Sequence, residues 1–376
     1  MAKSFIRTIT KKIFIAVNIL AAICFLLGCY SYYLNPTKFW LLGFLTLSVF
    51  YFLLALLLFL IFWIFAKPRL ALISIVAIAI AWGPVTQMLP LRFSSSFHTQ
   101  KHAQALRVMS WNVEQFNVME NKKHPEVKKQ MIELINEYQP DIACFQEMVA
   151  EDSFVTKPHG LLSDFQQRLN FPDCLYSYNR KEDFWDYAHF GIIIFSKYPI
   201  INRQTIMWYP NDYNSIIQYI DIVKGSDTIR VFNIHLQSLR FTRNNLKYID
   251  APNIDDQKSI QESKSIFGKF KVGFLKRKVQ ADRIREEMNK SPYPMIVCGD
   301  FNDVPNSYAY HTIGNGMKNA FAETGVGLGR TFTGIAPTLR IDNIFTDNRF
   351  DVLQYIRVKK KLSDHFPILT DLKLNP

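Results

Sequence analysis

Four short clusters of acidic, amide and histidine side chains follow the ends of apolar runs in this chain of 376 residues. The clusters are Cys-Phe-Gln-Glu147, Cys-Gly-Asp300-Phe-Asn302, Arg-Ile-Asp342-Asn and Ser-Asp364-His365. With Asn112 and His235, they supply oxygen ligands for a hard divalent cation and two imidazoles for proton transfer. This set of side chains predicts the hydrolysis of a phosphate ester by a metal-dependent enzyme.

The clusters around Asp300 and His365 are the most specific ones. Gly299 permits a close approach of the backbone, and Asp300 and Asn302, two residues apart, can project to the same side of the chain. A histidine such as His365, if its second ring nitrogen bonds a carboxylate, is held in one tautomer and becomes more basic. His235 alone would be read as a buried structural histidine, and only the other clusters make it a candidate.

The elements that must position these residues are mainly short β-strands. Runs rich in β-branched residues and bounded by Pro, Gly or Asn predict strands at 106–111, 142–145, 191–195, 216–223, 229–236, 295–298, 341–345 and 352–358. Helical spacing of apolar residues predicts one helix from Pro125 to the residue before Pro140 and a second over 274–289. Many strands with few helices indicate packed sheets flanked by helices, an α+β sandwich.

The first quarter of the chain has a different character. Residues 1–97 contain no Asp or Glu, and the segments 13–34, 39–66 and 70–89 each reach the ~20 apolar residues that cross a bilayer as a helix. We therefore expect an N-terminal membrane domain with three transmembrane helices over residues 1–97 and a catalytic domain over 98–376. Eight of the 44 basic residues lie in the first part, so that most of the net charge of +12 belongs to the membrane flanks.

The basic residues also predict the orientation. Six of them flank the expected cytoplasmic ends of the spans, namely Lys3, Arg7, Lys11, Lys12, Lys67 and Arg69, whereas only Lys38 and Arg92 flank the other ends. By the positive-inside rule the N-terminus is cytoplasmic, and the catalytic domain of this multi-pass cell-membrane protein lies outside the cytoplasm. The five cysteines lie mostly in apolar runs and predict free thiols rather than a disulfide framework.

Seven motifs in order resemble the endonuclease/exonuclease/phosphatase family, which includes DNase I-like nucleases, abasic-site endonucleases, neutral sphingomyelinases and inositol polyphosphate 5-phosphatases. They are Ser-Trp-Asn112-Val, Phe-Gln-Glu147, Gly-Ile-Ile-Ile-Phe-Ser196-Lys-Tyr-Pro-Ile, Asn-Ile-His235-Leu, Gly-Asp300-Phe-Asn302, Ile-Asp342-Asn and Ser-Asp364-His365. The resemblance covers residues from about 105 to 374. It implies a four-layer α/β/β/α sandwich with the active site at one rim of the paired sheets.

The resemblance also implies a ligand set for a metal ion. Glu147 would be the principal ligand of Mg²⁺, or of Mn²⁺ in its place, and Asn112 and Asp364 would assist it. A dianionic transition state needs such a cation and hydrogen-bond donors more than it needs a covalent nucleophile.

The same resemblance implies catalytic roles for five residues. Asp300 would position or deprotonate the attacking water, and His365, held by Asp342, would activate or orient it, so that the role of base stays shared between Asp300 and His365. Asn302 would bond a non-bridging phosphate oxygen. His235 would stabilise the transition state or protonate the leaving group.

Two features depart from the family pattern. Asn343 replaces a common aromatic residue after Asp342, and we expect this change to alter substrate packing. An insertion over 238–274 interleaves Arg and Lys with Phe and Tyr, a composition that suits anionic lipid headgroups or a nucleic-acid backbone as well as a solvated loop.

The predicted function is therefore a membrane-tethered, Mg²⁺-dependent phosphoesterase that hydrolyses a phosphodiester of a nucleic acid or a phospholipid headgroup. The predicted partners are this substrate and the lipid bilayer, and no residue pattern indicates a protein partner. One alternative is a phosphomonoesterase of the inositol-phosphate type. The other is a catalytically inactive, membrane-anchored binding protein.

Overall fold

The computed structural model describes residues 2–93, 97–117, 124–151, 161–184, 188–207, 216–251 and 257–375. Its strands are β1 (Leu106–Asn112), β2 (Ile142–Glu151), β3 (Asp173–Phe184), β4 (Ala188–Ser196), β5 (Ile200–Met207), β6 (Ile216–Lys224), β7 (Asp227–His235), β8 (Met295–Asp300), β9 (Met317–Asn319), β10 (Asp342–Asp347), β11 (Phe350–Arg357) and β12 (Ile368–Leu374). They form two six-stranded sheets with the orders β11-β12-β1-β2-β4-β3 and β5-β6-β7-β8-β10-β9. The pairs β1–β2 and β7–β8 are parallel, and every other pair among the described strands is antiparallel.

The helices are α1 (Ala2–Tyr30), α2 (Pro36–Phe39), α3 (Leu42–Leu47), α4 (Val49–Ala66), α5 (Pro68–Ile80), α6 (Trp82–Met88), α7 (Pro125–Tyr138), α8 (Leu161–Leu169), α9 (Arg243–Asp250), α10 (Gln257–Met288), α11 (Tyr308–Gly314) and α12 (Ala320–Thr324). Helices α7 and α8 cover the outer face of the first sheet, and α10 and α11 cover the outer face of the second.

The alternation of side chains along the strands explains the four layers. Val108 of β1 lies in the core between the two sheets, whereas its neighbour Met109 lies in the core beneath α7 and α8. Because both faces of the central strands are buried, these strands read as continuous apolar runs rather than as alternating ones. The α/β/β/α sandwich predicted from the sequence is confirmed.

Several predicted elements need correction. The prediction of two helices in this part of the chain is wrong, since six helices, α7 to α12, are present among the described residues. The insertion over 238–274 contains α9 and most of α10 instead of a solvated loop, and α10 begins at Gln257 rather than at residue 274. Strands β3, β5, β9 and β12 are not among the eight predicted strands, because their alternation with polar residues or their shortness hides them.

The N-terminal helices are long and apolar enough to cross a membrane in two places, over Ile6–Tyr33 and Val49–Ala66. Helices α5 and α6 are each too short to cross a membrane, so they qualify as a third span only if they are taken together across a bend of 68°. Pro84 explains the bend, because it has no N–H to donate to the carbonyl of Ile80, and the hydroxyl of Tyr30 donates to that carbonyl at 2.6 Å instead. The predicted second span, 39–66, is likewise broken into α3 and α4, and its first residue, Phe39, is the last residue of α2.

The helices pack directly on the sandwich. The ring of Phe44 in α3 stacks on Phe267 of α10 with 5.2 Å between centroids. After α6, Leu91 pairs with Val326 in an antiparallel bridge. The buried guanidinium of Arg340 donates to the carbonyls of Gln87 at 2.5 Å and Met88 at 3.2 Å.

Candidate active site

The side chains singled out from the sequence lie at one rim of the paired sheets. Asn112 ends β1 and His235 ends β7, and these strands belong to the two parallel pairs, one in each sheet. In the second sheet, the register pairs His235 with Asp300 and Asp300 with Asp342. Three adjacent strands therefore bring these three residues side by side.

Gly299 makes this juxtaposition of β7 and β8 sterically feasible. It has φ of 152°, and a Cβ atom at this position would lie 2.0 Å from the carbonyl oxygen of Ile234. No residue other than glycine fits without moving the strands apart. The close approach inferred from the sequence is therefore present immediately before Asp300.

A β-bulge directs Glu147 into the cleft. The pairing of β2 with β4 shifts register between Phe145 and Met148, and Glu147 has φ of 55°. Bulges redirect side chains in this way next to functional sites. The neighbouring Gln146 turns inward, where its Nε2 donates to the Oδ1 of Asn233 at 2.7 Å and so links the two sheets beneath the site.

Asp300 is the centre of the hydrogen-bond network. Its Oδ1 accepts from the backbone N–H of Asn302 at 2.8 Å, and its Oδ2 accepts from the side-chain amides of Asn112 and Asn302, both at 3.2 Å. The second N–H of the Asn302 amide donates to the carbonyl of Leu236 at 3.0 Å, so that both amide hydrogens are engaged. Burial raises the pKa of Asp300 to about 7, against the opposing effect of His365.

His365 and Asp342 form a buried pair. The Nδ1 of His365 lies 2.8 Å from the Oδ2 of Asp342, and its Nε2 points at the Oδ2 of Asp300 from 3.8 Å. Burial disfavours the charged imidazole, but the carboxylates of Asp342 and Asp300 outweigh it and hold the pKa of His365 well above its usual value. The ring of Phe332 packs edge-on against His365 at 5.1 Å.

His235 lies between two carboxylates. Its Nε2 is 3.7 Å from the Oε1 of Glu147 and 3.6 Å from the Oδ2 of Asp300. Burial, with the repulsion of His365 and Arg240, lowers the pKa of His235 to about 3. The ring is therefore a neutral imidazole in the absence of a metal ion.

A second group of oxygen atoms lies around Glu147. Burial raises the pKa of Glu147 to about 7, a hydrogen bond from Asn112 opposes this, and the charges of Asp364 and Glu114 add to it. Glu114 accepts the backbone N–H of Asp364 at 3.0 Å, and its own N–H donates to the Oδ1 of Asn112 at 3.2 Å. Glu114 was not found from the sequence, although its place two residues after Asn112 is a signal that could have identified it.

Two groups of side chains could hold a metal ion. Among the described residues, Asp300, Asp342 and His365 bring one ligand atom each within 4.8 Å of one another, and all three are buried. The other group, Glu147, Asn112 and Asp364, is more accessible, since the side chains of Glu147 and Asp364 are 24% and 46% exposed.

The cleft around these residues has a volume of about 520 Å³. Glu147, Asp300, Asn302, Asp364 and His365 line its polar end. Asn343 is not among the lining residues, because it is buried and its side-chain carbonyl accepts from the Asn319 amide at 3.0 Å. Asn343 therefore does not line the cleft, and the expectation that it alters substrate packing stays a prediction.

Comparisons with known proteins agree with this architecture. A profile of the endonuclease/exonuclease/phosphatase family matches residues 109–365, and one of a domain of unknown function matches residues 11–88. The catalytic domain of human nocturnin with a bound sulfate anion is similar in fold, with 18% identity, a TM-score of 0.51, and coverage of 73% of this chain and 97% of that one. A protein of the same family from Bacteroides thetaiotaomicron has 17% identity and a TM-score of 0.50, with coverage of 74% and 100%. No curated protein sequence matches the chain.

Proposed function

Because this chain belongs to the endonuclease/exonuclease/phosphatase family, we propose that it is a divalent-metal-dependent hydrolase of a phosphodiester, held at the membrane by its N-terminal helices. One observation carries the proposal: Asp300, which lines the cleft, lies within hydrogen-bond or ion-pair reach of Asn112, His235 and His365 at one rim of the sheets. These groups suit in-line attack by an activated water on a phosphate ester.

Glu147, Asn112 and Asp364 are the residues proposed to hold the metal ion, with Glu114 beside them. The charges of Asp364 and Glu114 act on the carboxyl group of Glu147, and Glu114 accepts the backbone N–H of Asp364, so several oxygen atoms lie in one neighbourhood that suits a hard cation such as Mg²⁺ or Mn²⁺. The buried group of Asp300, Asp342 and His365 suits proton transfer better, because the His365–Asp342 hydrogen bond already occupies one ring nitrogen. A bound cation would neutralise charge that develops on the phosphoryl oxygens.

We assign the role of base to Asp300. A carboxyl group with a pKa of about 7 is matched to proton abstraction near neutral pH, whereas the raised pKa of His365 favours its protonated form. Protonated His365, oriented by Asp342, would place a positive charge next to the anionic transition state. Asn302 would then act mainly by positioning Asp300, to which it makes two of its hydrogen bonds.

His235 is assigned to stabilisation of the transition state. A neutral imidazole with a pKa of about 3 is a poor proton donor to the leaving group but can still offer one hydrogen bond. Its Nε2 faces the region between Glu147 and Asp300, where the phosphoryl group would lie.

The proposed orientation places the catalytic part outside the cytoplasm. Arg7, Lys11 and Lys67 line a common depression at one end of the helices. The contacts of Phe44 and Leu91 with the sandwich lie at the other end. Basic residues favour the cytoplasmic side, so this separation supports a catalytic domain on the opposite side.

The decisive assay follows hydrolysis of bis(p-nitrophenyl) phosphate by the full chain in detergent micelles, with Mg²⁺ or with EDTA. We expect Asp300→Asn to lower kcat by about 10²- to 10⁴-fold, since it removes the base while it keeps the shape of the side chain. Asp351→Asn is the matched control, because this carboxylate is 53% exposed and its ion pair to Lys318 spans 3.8 Å. Full activity of Asp300→Asn would refute the assignment.

The same assay separates the alternatives. Faster hydrolysis of p-nitrophenyl phosphate than of the diester would favour a phosphomonoesterase. The absence of metal-dependent turnover with any phosphate ester, in a folded protein, would favour a binding protein that has lost catalysis.

A further inference from the structure

We propose that the substrate is a membrane lipid with a phosphate ester, one of whose hydrocarbon chains lies in an apolar groove that leads from the catalytic residues to the N-terminal helices. This inference rests on the proposed phosphoesterase function and specifies its substrate class. The occupant follows from the lining of the groove, from its continuity with the spans, and from the charge at its polar end.

The cleft changes character away from the catalytic residues. Its polar end carries the carboxylates and His365, whereas its other wall is apolar and consists of Leu239, Phe241, Leu246, Ile249, Ile266 and Phe270. These side chains come from the insertion, from α9 and from α10. The volume of about 520 Å³ falls within the range of about 300–1,000 Å³ of pockets that enclose small ligands.

The groove continues to the helices that are apolar enough to cross a membrane. Leu47, at the end of α3, and Tyr51, in the first turn of α4, line the same cleft as Asp300. Tyr51 is 49% exposed, and α4 is the 18-residue helix Val49–Ala66. A hydrocarbon chain of a lipid in the groove can therefore extend into the hydrocarbon layer of the membrane along a continuous apolar wall.

A second depression of about 270 Å³ extends the groove along the insertion. It shares Ile249, Ile266 and Phe270 with the cleft and adds Phe44 and Phe267. Together the two depressions form an apolar surface that begins at the catalytic site and ends at α3. Surfaces of this kind on a soluble face are uncommon and mark binding sites for apolar ligands or membranes.

Aromatic packing fixes the insertion against the helices. Phe44 contacts the rings of Phe267, Phe270 and Phe274, with centroid distances between 5.2 and 5.6 Å. Trp40 contacts Phe267 at 5.0 Å. The apolar face of α10 is thus packed against α3, close to the point where α4 begins.

The charges at the polar end suit a phosphate. Arg240 lines the cleft between the catalytic residues and the apolar wall, and it is exposed. Other basic residues of the insertion are exposed on α9 and α10, namely Arg243, Lys247, Lys264 and Lys271. Basic residues next to a bilayer attract anionic headgroups.

A lipid fits this surface better than a nucleic acid does. A nucleic acid presents regularly spaced phosphates and needs a basic track along its path. The apolar wall offers a nucleic acid no such track. A phospholipid matches both features, because its phosphate suits the positive charge of Arg240 and its hydrocarbon chain suits the groove. Nucleic-acid cleavage is therefore an outcome of the test rather than a second proposal.

The test uses the full chain in detergent micelles and compares two chromogenic diesters, p-nitrophenyl methyl phosphate and p-nitrophenyl dodecyl phosphate. Each buried methylene raises kcat/KM about fourfold, so that a few methylenes in the groove make the dodecyl ester better by about tenfold or more. The ratio of the two kcat/KM values is the readout, because a general loss of catalytic activity cancels in it.

Two variants examine the groove. Leu246→Gln and Ile249→Gln put a polar amide on the apolar wall while keeping a good helix former, and we expect each to lower the ratio several-fold. Val279→Gln is the matched control, since Val279 is an apolar residue of α10 that is 46% exposed and does not line the cleft. Partition of the dodecyl ester into micelles would affect the unaltered chain and the three variants equally. It would therefore not change the comparison of their kcat/KM ratios.

The outcomes separate this inference from the proposed function. A high ratio that falls in the two groove variants, but not in the control, supports the lipid substrate. Equal hydrolysis of both esters by the unaltered chain, or cleavage of plasmid DNA in preference to the dodecyl ester, overturns the inference and leaves the phosphoesterase. Failure to hydrolyse either ester overturns the proposed function itself. Release of a phosphorylated headgroup from phosphatidylglycerol or phosphatidylethanolamine vesicles would support the inference independently.

Discussion

The substitution Gly299→Ala tests whether the contact between β7 and β8 sets the geometry of the site. The new Cβ atom would lie 2.0 Å from the carbonyl oxygen of Ile234 and 2.8 Å from its Cγ1, on a backbone with φ of 152°. Protein Cβ contacts are essentially never shorter than 3.0 Å, so the strands must separate by about 1 Å (3.0 − 2.0). His235 and Asp300 end these two strands and would move apart with them.

Two effects add to the predicted loss of stability. Overpacking in a rigid interior costs about 1–3 kcal/mol, and a side chain at an unfavourable φ costs about 1–3 kcal/mol more. A central value of about 4 kcal/mol corresponds to a fall in Tm of about 8 °C or more. A displacement of about 1 Å at catalytic groups can lower kcat by about 10²-fold.

The measurement combines thermal unfolding of the full chain in detergent with metal-dependent hydrolysis of bis(p-nitrophenyl) phosphate. Gly225→Ala is the control, because Gly225 also has a positive φ, 64°, but no atom lies within 4 Å of the added Cβ. It should lose only about 1 kcal/mol and keep its activity. If Gly299→Ala were as stable and as active as Gly225→Ala, the close approach would not control the site.

Three further predictions follow from the charges and contacts. Because burial raises the pKa of Glu147 to about 7, its carboxyl group is protonated below that pH in the metal-free protein. Mg²⁺ must displace this proton in order to bind. Calorimetry should therefore show that the affinity for Mg²⁺ falls by about tenfold per pH unit below pH 7 and levels off above it. A pH-independent affinity would exclude Glu147 as a ligand. Arg340→Met removes the donor to the carbonyls of Gln87 and Met88 and should lower the free energy of unfolding by about 3 kcal/mol. Thermal unfolding measures this change. A loss below about 1 kcal/mol would show that these hydrogen bonds contribute little to stability. Asp351→Cys, at an exposed position of the sandwich, should react with a membrane-impermeant maleimide in intact cells; protection there, with reaction after lysis, would reverse the proposed orientation.

The sequence predicts the sandwich well where burial is uniform. Strands such as β4 and β8 are buried on both faces, so their apolar runs stand out from the flanking turns. Strand β5 is half exposed and alternates with polar residues, and the short helices α11 and α12 are too brief for a helical period to emerge. In α10, basic residues on the outer side dilute the apolar signal.

The residues of the candidate site likewise divide into those that the sequence identifies and those that only the folded structure brings to the site. Motifs that carry polar residues at strand ends identify Asp300 and His365 directly, because strand ends of a packed sheet meet at one rim. The bulge that redirects Glu147 and the turn that brings Glu114 to Asp364 depend on backbone conformations that composition does not encode. The contribution of Tyr51 to the cleft arises from packing of distant segments, which only the folded chain reveals.

The buried guanidinium of Arg340 makes the helices and the sandwich interdependent. A chain shortened to residues 98–376 would leave this cation facing a gap where the carbonyls of Gln87 and Met88 had been, and it would uncover the rings of Phe267 and Phe274. Such a fragment is expected to aggregate in plain buffer and to stay monodisperse only in detergent. The helical part therefore contributes to the stability of the sandwich, in addition to the membrane attachment proposed for it.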